Sequence, residues 1–215
     1  EGLAMVSDTG VIDEAIAALQ AEESAAIKLA ERDRLALAWN TLLKQSPVMP
    51  RAYAERLQVA FKAAVAGEPV EVAPSPSPFP APGSGASGFA GLALVDDDQI
   101  TLTIEFTRLS QQLRVQVDAQ MADLDALMCA AMGLPRVQPE RNPLRPEVFA
   151  GALRDLLGQA PVEPETRTRW LKALTSPLGR ELEDTYKSLI ALLNAAHVQA
   201  VNYQWVGTPG EHRVP

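Results

Sequence analysis

A chain of 215 residues with 47% apolar residues can bury the core of one or two domains. Aromatic residues make up only 5%, and a chain rich in alanine and leucine favours helices over sheets. The formal net charge of -8 argues against nucleic acid and against an anionic membrane surface as partners.

Cysteine content and hydropathy indicate the compartment. The single cysteine, Cys129, excludes an intrachain disulfide and a cysteine-based zinc site, which fits a reducing environment. No apolar run reaches the roughly 18 residues that a membrane-spanning helix needs, and no signal peptide is visible. We therefore expect a cytoplasmic protein without a membrane partner.

Two helices are predicted at the start of the chain. Apolar residues at helical spacing predict one long helix over residues 11–45, which Pro47 and Pro50 interrupt. A second helix is predicted over residues 51–66, where apolar residues recur at every fourth position. Two helices joined by a short break predict an antiparallel helical hairpin, and we assign residues 1–66 to it.

The predicted hairpin leaves one apolar side open. Trp39, Leu57 and Phe61 are expected in this interaction surface. Such a surface is too apolar to remain solvated, so another part of the protein or another chain must cover it. The cover is either the rest of this chain, a protein partner, or a second copy in self-association.

A segment rich in proline, glycine and serine separates the two halves of the chain. Proline cannot donate a backbone hydrogen bond, and glycine and serine offer little to bury. Residues 67–91 are therefore predicted to form a flexible, protease-sensitive linker.

Three consecutive aspartates, Asp96, Asp97 and Asp98, follow the predicted linker. Neighbouring side chains on a helix point about 100° apart, so the three carboxylates do not converge on one cation. Asp96 suits a helix N-cap, and negative charge in the first turn complements the helix dipole. We interpret the aspartates as the start of a long helix that reaches about residue 132 and is closed by Gly133.

Three further helices are predicted over residues 147–159, 163–175 and 179–197. Proline and glycine breaks separate them. With no convincing strand in the sequence, the expected fold class is all-α with six helices. We assign residues 92–200 to a helical bundle domain and residues 201–215 to a frayed tail.

Three segments in the second half carry a family resemblance. LALVDDDQI, RNPLRPEVFAGAL and LEDTYKSLIALLNAAHV occur in that order. Together they resemble the N-terminal region of a bacterial protein family, the domain of unknown function 1631 family, over residues 89–198. Its members have an apolar-Asp-Asp helix opening, an Asn-Pro-Leu-Gly-Pro turn and a closing helix with Tyr and Asn, and Arg145 stands where we expect the glycine of that turn. The resemblance implies no established catalytic residues, and it fits a fragment of a longer protein.

Two arginines around a proline turn are the strongest candidates for a ligand site. Arg141 and Arg145 are candidate anion-binding residues, because guanidinium groups suit phosphates. The alternative is that both are solvated or paired with the neighbouring acids Glu140 and Glu147.

Other reactive side chains receive structural interpretations. His197 is interpreted as a half-buried histidine at a helix C-terminus, and Cys129 as a packed thiol. The sequence contains neither a Ser-His-Asp order nor an HExxH pattern, so we predict no catalytic residue and no metal ligand.

Two functional hypotheses follow from this sequence. The first is a non-enzymatic helical interaction or regulatory module, the N-terminal part of a larger bacterial protein, with no cofactor. The alternative is a fragment of a larger enzyme or nucleotide-sensing signalling protein with its anion site around Arg141 and Arg145. The sequence leaves a small-molecule ligand open.

Overall fold

The computed structural model describes residues 9–67 and 97–201 of the chain. Within these ranges the chain is helical and contains no strand, which confirms the all-α prediction. The helices are α1 (Thr9–Ala25), α2 (Leu29–Gln45), α3 (Met49–Ala66), α4 (Asp97–Ala131), α5 (Pro146–Gly158) and α6 (Pro164–Ala195), and a short 3₁₀ turn (Pro139–Arg141) precedes α5. None of the described helices is long and apolar enough to cross a membrane.

The prediction of one helix over residues 11–45 is wrong. The chain leaves the helix at Ala26 and folds back, so that α1 and α2 pack against each other. Ile27 at this corner is 98% exposed. The hairpin lets the apolar stripes of both helices reach the core, which one straight helix of this length would not allow.

The third helix packs elsewhere than predicted. The predicted hairpin paired residues 11–45 with residues 51–66. The structure instead pairs α1 with α2 in a hairpin, and α3 packs mainly against α5. The Tyr53 hydroxyl of α3 donates to the Phe149 carbonyl of α5 at 3.2 Å. Helices from both sides of residues 68–96 thus share one core. The domain division at residues 67–91 stays a prediction, because residues 68–96 lie outside the described ranges.

The long helix α4 confirms the prediction of a helix that begins at the three aspartates and reaches about residue 132. Gly133 follows it with a φ of 71°, a left-handed conformation that glycine adopts without strain. The Gly133 amide donates to Ala130 and the Leu134 amide donates to Cys129, both at 2.9 Å, which satisfies carbonyl groups at the helix end. The capping predicted for residues 96–98 lies outside what the structure describes.

The last helix is longer than predicted. The expected break between residues 175 and 179 is wrong, and α6 continues through Pro177. A proline inside a helix costs about 3 kcal/mol. A row of buried side chains at every fourth position crosses this point, and burying each contributes about 1.5–3 kcal/mol. These residues are Trp170, Leu174, Leu178, Leu182 and Tyr186.

Helix α6 lies at the centre of the fold and contacts α1, α2, α4 and α5. It runs parallel to α4, since the Lys172 and Glu105 side chains pair at 3.2 Å near one end and the Val201 amide donates to the Ala126 carbonyl at the other. Midway, Gly179 allows the Gln116 side chain to lie against the backbone of α6. The parallel pair leaves a groove between its two helices.

Candidate functional site

Buried polar groups hold the turn between α4 and α5. Asn142, which has no solvent exposure, donates from Nδ2 to Asp125 Oδ1 at 2.6 Å. Its Oδ1 accepts from the Leu144 amide at 2.9 Å, the side-chain-to-backbone bond of an Asx turn. The Tyr186 hydroxyl of α6 donates to the Leu144 carbonyl. The turn therefore links three helices through buried hydrogen bonds.

Asp125 is a buried carboxyl group in this network, with 5% exposure. Burial raises the pKa of Asp125 above its ordinary value, because the charged form loses hydration. The hydrogen bond from Asn142 and the charges of Arg114 and Arg145 oppose this shift, and the charge of Glu147 adds to it. The pKa of Asp125 remains raised.

A cavity of about 340 Å³ lies beside this turn, between α4, the 3₁₀ turn and the start of α5. Its charged lining consists of Arg114, Asp118, Asp125, Glu140, Arg145 and Glu147. The guanidinium of Arg114 lies 3.7 Å from the carboxylate of Glu147. Four carboxyl groups face two guanidinium groups, so this lining favours cations over phosphates.

The structure separates the two candidate anion-binding residues. Arg145 lines the cavity, and its Nε is buried without a hydrogen-bond partner among the described residues. Arg141 is exposed, and its guanidinium lies beside Gly67 at the end of α3, where a Cβ would be 3.6 Å from Nη1. Anion binding by the pair stays a prediction, and only Arg145 lines the cavity.

The groove between α4 and α6 is the more open feature. It consists of two adjoining depressions of about 230 and 550 Å³, which share Arg108, Gln112 and Thr175 in their lining. We call this feature the α4–α6 groove. Val115 lines it with 78% of its surface exposed, and Ile104, one helical turn before Arg108, is 61% exposed.

Charges in the α4–α6 groove are unevenly compensated. Lys172 pairs with Glu105 at 3.2 Å, and the Lys172 side chain is 56% exposed whereas that of Glu105 is 14% exposed. Arg108 has no ion pair within the described part of the chain. The accessible charge of this groove is therefore positive, although the whole chain carries -8.

The three residues of the predicted interaction surface contact the core of this protomer. Leu57 is 2% exposed, and Trp39 and Phe61 are half-buried against the core cluster. The Trp39 indole donates to Glu23 Oε2 at 2.7 Å and so joins α2 to α1. A role of these residues toward a second chain stays a prediction.

His197 lies just after the C-terminus of α6, close to its predicted position, but its predicted half-burial is wrong. The residue is exposed and has a φ of 57°. Its amide donates to the Asn194 carbonyl at 2.9 Å, and the Val198 amide donates to Leu193 at 3.1 Å. His197 thus occupies the left-handed position that follows many helices, which turns its side chain away from the apolar stripe.

Cys129 is fully buried, which confirms the prediction of a packed thiol. Its Sγ accepts a hydrogen bond from the Gln138 amide at 3.2 Å. Within residues 9–67 and 97–201, no group of three or more His, Cys, Asp or Glu side chains is placed to hold a metal ion.

The sequence contained a signal for the Asn142–Asp125 pair that the predictions did not use. Asp125 lies four residues after Met121, on the apolar stripe of α4, where a charged group needs a buried partner. Asn142 precedes a proline, a position where asparagine often bonds to the backbone of its own turn. Nothing local pairs the two residues, which are 17 positions apart.

Comparison with known protein families identifies one family whose model matches most of this chain. The family model described as "Protein of unknown function (DUF1631) N-terminal domain" matches residues 9–197. This chain belongs to the DUF1631 family. The match confirms the resemblance and extends it beyond residues 89–198, so α1, α2 and α3 are also part of the DUF1631 N-terminal domain. No curated protein and no solved structure matches the chain.

Proposed function

We propose that this DUF1631 N-terminal domain is a non-enzymatic helical interaction module, located in the cytoplasm, that forms the N-terminal part of a longer protein. The α4–α6 groove is the observation that carries the proposal. It is open along two parallel helices and presents the exposed side chain of Val115. The description of the matched family as an N-terminal domain supports the place in a longer protein.

The α4–α6 groove has the shape and chemistry of a helix-binding surface. Two parallel helices present a straight depression, into which the ridges of a third helix can pack. The glutamines Gln111, Gln112 and Gln116 line it with amide groups that can donate and accept hydrogen bonds. Val115 supplies an apolar contact between them, so the surface suits an amphipathic helix.

A peptide-binding experiment on the whole chain tests the proposal. The probes are three fluorescein-labelled peptides of equal length with leucine at positions i, i+3, i+4 and i+7. Their remaining positions are all Glu, all Gln or all Lys. Fluorescence anisotropy measures the dissociation constant of each, and circular dichroism verifies that every variant is folded.

Variants that fill or charge the groove identify where a peptide binds. Ser176→Trp places a large ring in the groove, and Ser188→Trp makes the same change at an exposed position of α6 outside it. Val115→Asp places a negative charge in the groove. Val59→Asp makes the same substitution on α3, outside the groove, at a residue with a similar exposure of 69%. Both groove variants are expected to weaken binding about ten-fold, a loss of about 1.4 kcal/mol, and both controls to leave it unchanged.

The proposal requires that at least one of the three peptides binds and that Ser176→Trp weakens its binding more than Ser188→Trp does. If no peptide meets both conditions, the proposal fails. It also fails if the groove variants and their controls reduce binding equally.

A nucleotide-sensing role is the second candidate. It is favoured by the buried Nε of Arg145, which lacks a hydrogen-bond partner among the described residues. The four carboxyl groups of the same cavity oppose it.

A further inference from the structure

We infer that the α4–α6 groove binds an acidic amphipathic segment of a partner protein. This inference rests on the proposed function and adds the chemistry of the partner. Its basis is the charge of the groove, which opposes the charge of the chain around it.

The accessible charges of the groove are cationic. The guanidinium of Arg108 has no carboxylate partner within the described residues and can bind a carboxylate through two parallel hydrogen bonds. Lys172 pairs with Glu105, but the shielded member of that pair is the carboxylate, whose side chain is 14% exposed, whereas the Lys172 side chain is 56% exposed. Carboxylates of a bound segment would thus meet two cations.

Neutral groups of the groove fit the same partner. The amides of Gln111 and Gln112 can donate hydrogen bonds to carboxylates or to an exposed end of a helix. The exposed Val115 also favours apolar side chains on the partner, because burying its apolar surface against them contributes binding free energy that a purely polar segment cannot provide. The matching ligand therefore alternates acidic and apolar residues at helical spacing.

Charge also disfavours the opposite partner at this groove. Basic segments are drawn to the chain as a whole, whose net charge is -8. Within the groove they would place lysine or arginine beside Arg108 and Lys172, and like charges in contact oppose binding. The preference for an acidic segment is thus a local property, and variants of Arg108 can reverse it.

The Glu, Gln and Lys peptides measure this preference on the whole chain. On the unsubstituted chain, the Glu peptide is expected to bind about ten-fold more tightly than the Gln peptide. Arg108→Glu is expected to reverse the order, so that the Lys peptide becomes the tightest of the three. Arg51→Glu makes the same charge change on α3, where the Arg51 side chain is 88% exposed and outside the groove, and should preserve the original order.

A second groove variant guards against misfolding. If Arg108→Glu does not fold by circular dichroism, Gln112→Glu adds one negative charge to the groove, one turn further along α4. This variant is expected to remove the preference for the Glu peptide over the Gln peptide, and an unchanged preference would overturn the inference. A polyglutamate peptide without leucine should bind at least ten-fold more weakly than the Glu peptide, because it cannot use Val115.

The results separate the inference from the proposed function. The inference is overturned if binding is sensitive to Ser176→Trp but the Lys or Gln peptide is tightest on the unsubstituted chain. It is also overturned if Arg108→Glu leaves the order unchanged, or if sedimentation shows a dimer that Ser176→Trp dissociates. In each of these cases the groove remains an interaction surface, whereas the absence of any binding sensitive to Ser176→Trp removes the proposed function too.

Discussion

Asn142 donates its side-chain amide to the carboxyl group of Asp125 at 2.6 Å, inside the protein and 17 residues away in sequence. Through the same side chain Asn142 accepts the Leu144 amide, and Tyr186 closes the turn from α6. A buried carboxyl group is costly unless it is hydrogen-bonded, so this amide gives Asp125 a partner and fixes the start of α5.

Replacing Asn142 should be strongly destabilising. Asn142→Ala leaves Asp125 and the Leu144 amide without their partner, and we expect the free energy of unfolding to fall by about 2–4 kcal/mol. Urea denaturation followed by circular dichroism measures the loss. Asn40→Ala removes an exposed 2.8 Å bond to the Ala36 carbonyl and should cost less than about 0.5 kcal/mol. Similar losses at the two positions would contradict the role given to the buried pair.

Asp125 should make stability depend on pH. Because its pKa is raised in the folded state, the folded chain binds its proton more tightly than the unfolded chain does. This contribution is fully present below the unfolded pKa of about 4 and is lost as pH rises through the folded pKa. The unfolding free energy of Asp125→Asn relative to the unsubstituted chain should therefore increase with pH across this window.

Urea denaturation at a series of pH values gives this difference. Asp123→Asn makes the same substitution at an exposed aspartate of the same helix and serves as the control variant. If the difference in unfolding free energy between Asp125→Asn and the unsubstituted chain did not change with pH, the raised pKa of Asp125 would not contribute to the pH dependence of stability.

Trp170 should anchor α2 to α6. Its indole donates to the Ala38 carbonyl at 2.8 Å, and both residues are fully buried. Trp170→Phe removes this additional hydrogen bond to a carbonyl of α2 and opens a void in the core, so we expect the free energy of unfolding to fall by about 2–4 kcal/mol in urea denaturation. Trp39→Phe makes the same change at a half-buried indole whose partner, Glu23, can be hydrated instead, and should cost about 1 kcal/mol. If Trp39→Phe lowered the free energy of unfolding more than Trp170→Phe, Trp170 would not be the main anchor between α2 and α6.

The close approach of α4 and α6 at Gly179 should appear as an energetic coupling. Alanine in a helix is favoured over glycine by about 1 kcal/mol, but a Cβ on Gly179 would overlap the Gln116 side chain. Gly179→Ala alone should thus leave the free energy of unfolding unchanged. In the Gln116→Ala background, the same substitution should raise it by about 1 kcal/mol. Gly151→Ala in α5, where a Cβ meets nothing within 4 Å, should give the gain in both backgrounds. Additive effects of Gly179→Ala and Gln116→Ala would disprove the contact.

Phosphate ligands should leave the melting temperature unchanged. The cavity beside Arg145 carries four carboxyl groups, and Arg141 is not part of its lining. Thermal melting with inorganic phosphate and a panel of mono-, di- and cyclic nucleotides measures this, since a ligand at 100 times its dissociation constant adds about 2.7 kcal/mol. A rise in melting temperature that Arg145→Gln abolishes and Arg141→Gln retains would support the nucleotide-sensing candidate instead.

The sequence alone determined the helical nature of the chain and the course of α4 and α5. Apolar residues at a spacing of three and four positions identify a buried helix face, and Gly133 marks a helix end because it adopts a left-handed conformation without strain. These signals act within a few residues of one another, so they can be read along the chain. The same applies to Cys129, which was predicted to be a packed thiol because it has neither an electropositive setting nor a position at a helix N-terminus, and which is buried.

Only the tertiary structure decided where helices break and which polar groups meet. The corner at Ile27 contains no proline or glycine, and it forms because both stripes of the α1–α2 hairpin are buried against the core. Pro177 does not end α6, because the buried row from Trp170 to Tyr186 outweighs the lost backbone bond. Packing between residues far apart in sequence likewise pairs Asn142 with Asp125 and places Arg141 and Arg145 in different surroundings, since these contacts depend on how whole helices are oriented rather than on local spacing.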